Sequence, residues 1–290
     1  MEKTETSEEM HRLFNRTAGV YDQTGVEFFV PIGGRLVEFA GLGAGDSVLD
    51  VGCGRGAALY PAAVAVGAGG EAVGIDISEE MVRYAAEGAA GYGLSQVSTT
   101  VMNGQAPEFP AGRFDAVIAS LSLFIWTRGA AELKPYLPLL RPGGRFAIST
   151  PSFLPTADGR WGLMPESVHD LLMPYMQPAR AAEERTFPFA NVADNWLVSA
   201  ESIERELTEA GFVEVEVREE PLQLVVESGA QWVLWTRSTG MRRLWEKIEQ
   251  LGDGALAEKV AARLDALKDD RGVITVPVPV TYIRARAPQA

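Results

Sequence analysis

A glycine-rich turn between two acidic residues is the part of this sequence best suited to bind a ligand. Asp50 ends an apolar run and precedes the turn Gly52-Cys53-Gly54, and Asp76 ends the next apolar run. Glycine lets the backbone turn sharply and approach a ligand closely. A helix after the turn directs its N-terminal amides to the same place. A carboxylate at the end of the second strand commonly accepts hydrogen bonds from two ribose hydroxyls. The pattern therefore predicts a site for a nucleotide-containing cofactor.

The charge beside the turn distinguishes two classes of cofactor. Gly52-x-Gly54-x-x-Ala57 satisfies the glycine spacing of a dinucleotide fingerprint. Asp50, however, lies directly before the turn, where a second carboxylate would repel a pyrophosphate and attract a cation. We therefore expect a cationic cofactor, and an NAD-dependent dehydrogenase is the less favoured alternative.

Four motifs make the chain similar to a known family. "VLDVGCGRG", "GIDIS", "MNGQAPEFPAGRFDAVIAS" and "LRPGGRFAIST" stand in the order and spacing of class I S-adenosylmethionine-dependent methyltransferases. The chain most resembles the ubiquinone/menaquinone-type and the bacterial secondary-metabolite methyltransferases, over residues 14–150. The resemblance implies S-adenosylmethionine as cofactor. It also implies an α/β fold, with a Rossmann-like seven-stranded, mostly parallel sheet, helices on both faces, an antiparallel last strand and a mostly helical cap.

The same resemblance implies roles for individual residues. Asp50 and the turn would line the methionine part of the cofactor, and Asp76 would hold its ribose. The other positions would surround the adenine, the methionine moiety or the outer side of the cofactor: Ile77, Met81, Asn103, Gly104, Ser120 and Tyr21. Asn103-Gly104 replaces the Asp-Ala that is usual in the family, and the amide oxygen of Asn103 retains a hydrogen-bond acceptor.

His169 is the candidate catalytic base. Methyl transfer can require removal of a proton from the acceptor, and imidazole is well suited to that near neutral pH. The alternative is a histidine on a helix surface beside Asp170. Other candidate bases are the carboxylates Glu166, Glu183 and Glu184. His11, on the predicted N-terminal helix, could also reach the mouth of the site and ranks below His169.

Aromatic and methionine side chains are candidates for the wall of an acceptor pocket, since such side chains adapt to bulky apolar ligands. The candidates are Phe124, Trp126, Trp161, Met173, Tyr175, Trp196 and Trp232. The alternative is that most of them belong to the hydrophobic core of the cap. The expected acceptor is a small, largely apolar metabolite methylated on oxygen, carbon or nitrogen, within secondary metabolism.

Alternating strands and helices would position these residues. Strand-like runs occur at 47–51, 72–77, 97–101, 114–119 and 144–150, with helical patterns between them at 56–66, 79–91 and 129–140. Strict alternation predicts a parallel sheet covered on both faces. Further on, we predict a helix at 200–210 with Ser199 as its N-cap, strands at 212–219 and 222–227, and helical residues at 230–268. The last strand should cover 278–286, because Pro277 and Pro279 exclude a central paired position.

We expect a single domain over residues 1–290. Its cofactor-binding core would comprise 41–150, 199–227 and 271–290. The cap, which would hold the substrate, would comprise 1–40, 151–198 and 228–270.

Composition narrows the choice of partners. A formal net charge of −13 argues against a nucleic-acid substrate and favours a small molecule. Two histidines and one cysteine cannot supply a His/Cys zinc site, and we expect no metal.

No apolar stretch reaches the roughly 18 residues that span a bilayer, so we expect no membrane association. The acidic N-terminus is unlike a signal peptide and predicts a cytoplasmic protein. A homodimer is compatible with the sequence.

Two rival functions share the predicted fold. One is an enzyme that retains S-adenosylmethionine and catalyses a cyclisation or rearrangement. The other is a non-catalytic partner that binds the cofactor. Only a transferase would form S-adenosylhomocysteine.

Overall fold

In the computed structural model, residues 2–152, 164–176 and 196–289 are described. Seven strands are formed: β1 (Ser47–Val51), β2 (Glu71–Asp76), β3 (Val97–Val101), β4 (Phe114–Ser120), β5 (Leu140–Pro151), β6 (Val213–Val226) and β7 (Ile274–Arg286). They make one sheet in the order β3-β2-β1-β4-β5-β7-β6. Neighbours among β1 to β5 are parallel, whereas β7 is antiparallel to both β5 and β6. The predicted fold is confirmed.

The described helices are α1 (Glu2–Thr17), α2 (Phe29–Ala40), α3 (Leu59–Val66), α4 (Glu79–Gly91), α5 (Ala130–Leu133), α6 (Glu166–Met176), α7 (Ala200–Glu209), α8 (Gly229–Arg237), α9 (Arg242–Gln250) and α10 (Leu256–Asp265). Ser199 caps α7 as predicted, since its hydroxyl accepts a hydrogen bond from the backbone N–H of Ser202. None of the described helices combines the length and the apolar character needed to cross a membrane.

The order in which successive strands are added to the sheet reverses between β1 and β4. The strand order runs outward from β1 to β2 and β3 on one side and from β4 to β5 on the other. Open parallel sheets bind ligands at such a switch point, at the carboxyl ends of the strands. Asp50, the glycine turn and Ser120 all lie at these ends.

The structure corrects the predicted start of the last strand. β7 begins at Ile274 and is paired with β6 throughout, so Pro277 and Pro279 lie inside it. The carbonyl of Pro279 accepts a hydrogen bond from the N–H of Ser152, so the proline positions face away from β6. β5 ends at Pro151, and of the described strands only β6 pairs with this part of β7. Proline has no N–H group to donate, but at these positions no hydrogen bond between β7 and a described strand is lost.

Other element boundaries also differ from the predicted ones. α3 begins at Leu59, not at 56, because the preceding residues complete the glycine turn. The helix predicted at 129–140 is the short α5 followed by a 3₁₀ helix, Lys134–Leu139, which contains two prolines. The two predicted strands at 212–219 and 222–227 form one continuous β6, and the helical stretch 230–268 is divided into α8, α9 and α10.

Hydrophobic residues cover both faces of the sheet. On one face, α2, α3, α6 and α8 to α10 pack in a single cluster that contains the fully buried Trp232 and Trp245. On the other face, α5 and α7 pack against the sheet around Phe146 and Phe212, whose rings stack at 4.8 Å. The helices α6 and α8 to α10 thus share one core with α2, α3 and the sheet.

Candidate active site

A cavity of about 1070 Å³ opens at the carboxyl ends of β1, β2 and β4. Every residue predicted for the cofactor site lines this cavity: Tyr21, Asp50, Gly52, Cys53, Gly54, Asp76, Ile77, Met81, Asn103, Gly104 and Ser120. Residues far apart in the sequence therefore meet at one place in the fold.

The glycine turn has a backbone that only glycine adopts easily. Gly52 and Gly54 have φ values of 73° and 52°, in the left-handed region. The N–H groups of Gly52 and Cys53 both donate to the carbonyl of Ile75, at 2.8 and 2.9 Å, and so fix the turn to β2. A Cβ atom at Gly52 would lie 2.6 Å from Cβ of Ser122. The turn thus requires glycine for conformation and for space.

Asp76 is held by the backbone around it. One carboxylate oxygen accepts a hydrogen bond from the N–H of Gly54 (3.0 Å), and the other accepts from the N–H of Ser78 (2.9 Å). Burial raises the pKa of Asp76, and hydrogen bonds from backbone N–H groups oppose that rise. The carboxylate is therefore oriented at the cavity before any ligand binds.

Asp50 is buried without a partner in the described part of the chain. The residue is 1% exposed, and neither of its carboxylate oxygens has a hydrogen-bond partner there. Burial, and secondarily the charge of Asp76, raise the pKa of Asp50 to about 8. An unpaired buried carboxylate is costly, and such groups in native proteins usually await a ligand or a counter-ion. The arrangement fits a ligand that brings positive charge to the methionine end of the site.

Three aromatic residues from the N-terminal part of the chain form one wall of the cavity. The ring of Tyr21 lies 4.7 Å from that of Phe29 and 6.3 Å from that of Phe14, and all three residues line the cavity. Burial and the nearby carboxylates of Asp22 and Asp76 raise the pKa of the Tyr21 hydroxyl, so it is neutral. Tyr21 can donate a hydrogen bond into the cavity.

Trp126 is a further aromatic residue of the cavity lining, and a hydrogen bond fixes its ring. The indole N–H of Trp126 donates to the hydroxyl of Tyr136 (3.1 Å), which donates to the carbonyl of Gly104 (2.7 Å). A Cβ atom on Gly104 would lie 3.1 Å from Cζ2 of Trp126, so this glycine leaves room for the indole ring. The side-chain oxygen of Asn103 accepts from the N–H of Gln105 at 3.0 Å.

Some cavity residues were not predicted from the sequence. Asp22 lines the cavity with φ of 57° and a pKa that burial raises to about 6. Met10, Phe14, Arg55 and Ser122 also line it. The sequence signal for Asp22 and Arg55 was their position next to the predicted residues Tyr21 and Gly54, whereas Met10 and Phe14 lie apart from every predicted site residue.

The predicted acceptor-pocket residues are mostly elsewhere. Trp126 alone among them is a described residue of the cavity lining. Phe124, Trp196 and Trp232 are instead buried in the hydrophobic core, at 8%, 2% and 0% exposure. The indole N–H of Trp196 donates to Oγ1 of Thr127 at 3.1 Å, within that core. Large apolar side chains serve core and pocket equally well, and here they pack in the core.

Residues of α6 face other helices. His169, Met173 and Tyr175 lie on α6 and are not among the described residues that line the cavity. The hydroxyl of Tyr175 donates to Asp253 at 2.5 Å, and Asp170 forms an ion pair with Arg263 at 2.6 Å. Trp161, Glu183 and Glu184 lie outside the described residues. The role of His169 as a base stays a prediction.

The described residues include no group of three or more His, Cys, Asp or Glu side chains placed to hold a metal ion.

The chain is similar to methyltransferases in sequence and in structure. Residues 48–144 match the family model described as a methyltransferase domain. Nocamycin O-methyltransferase of Saccharothrix syringae is 40% identical over 281 residues, which cover 94% of this chain and 97% of that protein. Aklanonic acid methyltransferase DauC of Streptomyces sp. strain C5 is 34% identical over 212 residues, covering 73% and 95% respectively.

Among solved structures, phosphoethanolamine N-methyltransferase 2 of Haemonchus contortus, in complex with S-adenosyl-L-methionine, superposes with a TM-score of 0.53 at 19% identity. The superposition covers 88% of this chain and 52% of that chain. At this level of identity the likeness shows the fold alone.

Proposed function

This chain belongs to the class I S-adenosylmethionine-dependent methyltransferases, and we propose that it methylates an oxygen atom of a small secondary metabolite. S-adenosylmethionine is its methyl donor. The chain covers nearly the whole length of both relatives, one of which is named as an O-methyltransferase and the other as acting on an acid. Those names support oxygen as the acceptor atom.

The single observation that carries the assignment of the site is the pair of carboxylates at the glycine turn, of which Asp50 is buried and Asp76 is partly buried. Asp50 has no hydrogen-bond partner among the described residues, whereas Asp76 is oriented by two backbone N–H groups. We assign Asp50 to the positively charged methionine end of the cofactor and Asp76 to its ribose hydroxyls. When bound, the cofactor supplies a methyl group that is already activated by a positively charged sulfur atom.

The remaining lining residues complete the proposed site. Ile77 and Met81 would contact the adenine, with Asn103 and Gly104 at its edge. Tyr21 would cover the cofactor and exclude water. With an activated methyl group, positioning and exclusion of water account for much of the rate enhancement, and a strong base is not always needed.

The size of the cavity leaves room for the acceptor. Pockets for drug-sized ligands commonly occupy about 300–1000 Å³, and this cavity of about 1070 Å³ lies just beyond the upper end of that range. Phe14, Phe29 and Trp126 give it aromatic walls, which favour an aromatic or otherwise apolar acceptor. The net charge of −13 supports a small-molecule acceptor over a nucleic acid. A homodimer and a cytoplasmic location stay predictions.

Calorimetry and a labelled methyl group test the proposal together. The protein should bind S-adenosylmethionine and S-adenosylhomocysteine and not NAD or NADP. With methyl-labelled S-adenosylmethionine and a panel of phenols, enols and carboxylic acids, label should enter an ester or ether product as S-adenosylhomocysteine forms. Binding of NAD in place of the sulfonium compound would overturn the site assignment. Product formation without transfer of label would identify the cofactor-retaining alternative.

A further inference from the structure

Helix α1 supplies part of the wall of the cavity. Met10 and Phe14, one turn apart on α1, both line it, and Phe14 also contacts the ring of Tyr21. The residue after Phe14 is Asn15, which is not among the described lining residues but contacts the start of α4. A contact that fixes Asn15 therefore also fixes α1 and the part of the cavity wall that Met10 and Phe14 form.

Asn15 is connected to Asp76 by a continuous chain of hydrogen bonds. Its side-chain oxygen lies 2.5 Å from Oγ of Ser78. That hydroxyl accepts a hydrogen bond from the N–H of Met81 as the N-cap of α4, so its own hydrogen is directed to Asn15. The backbone N–H of Ser78 in turn donates to Asp76, whose other oxygen accepts from Gly54. The chain runs from α1 to the glycine turn.

The amide nitrogen of Asn15 makes a second contact to the same element. It donates to Oε2 of Glu79 at 2.8 Å, and His11, one turn earlier on α1, contacts the same oxygen at 2.6 Å. The Glu79 side chain is 58% exposed, so this pair contributes little by itself. Ser78 is fully buried, so its hydrogen bond to Asn15 is shielded from water and is the stronger connection.

We propose that Asn15 is a positioning residue that latches α1 over the cavity and slows the release of the cofactor and of its demethylated product. The inference rests on the proposed function, because it takes the cavity to be the cofactor site. Asn15 acts through Ser78 and through the position of Phe14, and it is not a residue that touches the reacting atoms.

The chemistry of the position favours asparagine. The side chain must accept a hydrogen bond from Ser78 and donate one to Glu79 at the same time, which an amide does and a carboxylate does not. Aspartate would also place a third negative charge beside Glu79 and Glu80. Alanine would remove these two contacts, together with those to the N–H of Glu80 and to the ring of His11, and leave the Ser78 hydroxyl without this acceptor.

The test measures dissociation of S-adenosylhomocysteine, which needs no knowledge of the acceptor. In a displacement experiment, Asn15→Ala should release the ligand about tenfold faster than wild type, the effect of one shielded hydrogen bond. Arg16→Ala is the matched control: its side chain is 59% exposed, on the same helix, and pairs at 3.7 Å with Glu246, so release should stay at the wild-type rate. Hydrogen exchange should show that the ligand protects residues 8–17 in wild type and less in Asn15→Ala.

A double-mutant cycle separates the latch from a general loss of stability. Ser78→Ala and Asn15→Ala remove the two ends of one hydrogen bond, so the increase in release rate in the double variant should be smaller than the product of the two single increases. If Asn15→Ala does not fold, Asn15→Leu is close to asparagine in size, has neither the acceptor oxygen nor the donor nitrogen, and provides the same comparison. Wild-type release and wild-type protection of residues 8–17 in a folded Asn15 variant would overturn the latch. A wild-type protein that does not bind S-adenosylhomocysteine would instead overturn the proposed function.

Discussion

The two sides of the cavity differ in what determines their residues. On the side proposed to hold the cofactor, every position predicted from the sequence lies at the cavity, and most of these positions lie at strand ends or in the turn with left-handed glycines. Of the residues predicted for the acceptor side, Trp126 lies at the cavity, whereas Phe124, Trp196 and Trp232 are buried in the core. A backbone motif fixes where its side chains go, but an apolar side chain can be buried in several places.

The difference has a functional counterpart. The cofactor is the same for every member of the family, so a rigid backbone turn and oriented carboxylates can bind it in each. The acceptor differs among members, and its pocket is assembled from loops and helices that vary. Variants on the two sides should therefore behave differently, and the following experiments test that difference in order of expected effect.

Asp76→Ala should have the largest effect on cofactor binding. The carboxylate is oriented by Gly54 and Ser78. In the proposed site its loss would remove two charge-assisted hydrogen bonds to the ribose, on the order of 2–4 kcal/mol. Calorimetry with S-adenosylhomocysteine measures the change in affinity. Asp170→Ala, a carboxylate of α6 paired with Arg263, is the matched control and should bind as wild type. Unchanged affinity in Asp76→Ala would place the ribose elsewhere.

Gly52→Ala should destabilise the fold and impair the site. Alanine at φ of 73° costs about 1–2 kcal/mol. The new Cβ would also approach Cβ of Ser122 to 2.6 Å, so the total loss in free energy of unfolding should be about 2–3 kcal/mol. Gly91→Ala in α4 has no described heavy atom within 4 Å of its new Cβ and should be neutral or slightly stabilising. Urea unfolding compares the two, and equal midpoints would show that the turn tolerates a side chain.

Asp50 predicts a pH dependence of cofactor binding. Its pKa, raised to about 8 by burial and by Asp76, means that the carboxyl is protonated below that pH when no ligand is bound. A cationic ligand favours the carboxylate, so binding releases a proton below about pH 8, and affinity falls by up to tenfold per unit as pH decreases. Above that pH the Asp50 carboxyl is already ionised, so its titration should raise the affinity no further.

Calorimetry of S-adenosylmethionine binding in buffers of different ionisation enthalpy measures the released proton directly. Asp22, with a pKa of about 6, and Asp76 also lie at the cavity, so a variant decides which group is responsible. Asp50→Asn should bind more weakly at pH 8 and lose most of the proton release between pH 7 and 8. If wild type and Asp50→Asn release the same number of protons in that interval, another group titrates.

The sequence predicts local backbone motifs better than it predicts features that depend on long-range packing. The strands β1, β2 and β4 are recognisable because buried parallel strands are largely continuous apolar runs. The turn is recognisable because glycine and the flanking acids are local signals. The prolines of β7 are misleading because their effect depends on which side of the strand is paired, a property of the whole sheet. The contact of Asn15 with Ser78 joins positions 63 residues apart, and no local pattern indicates it.

His169→Ala should have the smallest effect and is the most direct test of the acceptor side. The histidine lies on α6, outside the described lining of the cavity, so we expect cofactor affinity to be unchanged and turnover to remain within a few-fold of wild type. The measurement compares the transfer of labelled methyl, with the acceptor found in the screen, as a function of pH. A loss of roughly 10²–10⁴-fold in turnover, with the disappearance of a limb near the titration of imidazole, would identify His169 as the base. In that case α6 would have to approach the acceptor during the reaction. The sequence would then have identified a catalytic residue that does not line the described cavity. If turnover is retained, the acceptor loses its proton without this histidine, and catalysis depends on positioning by the cofactor side.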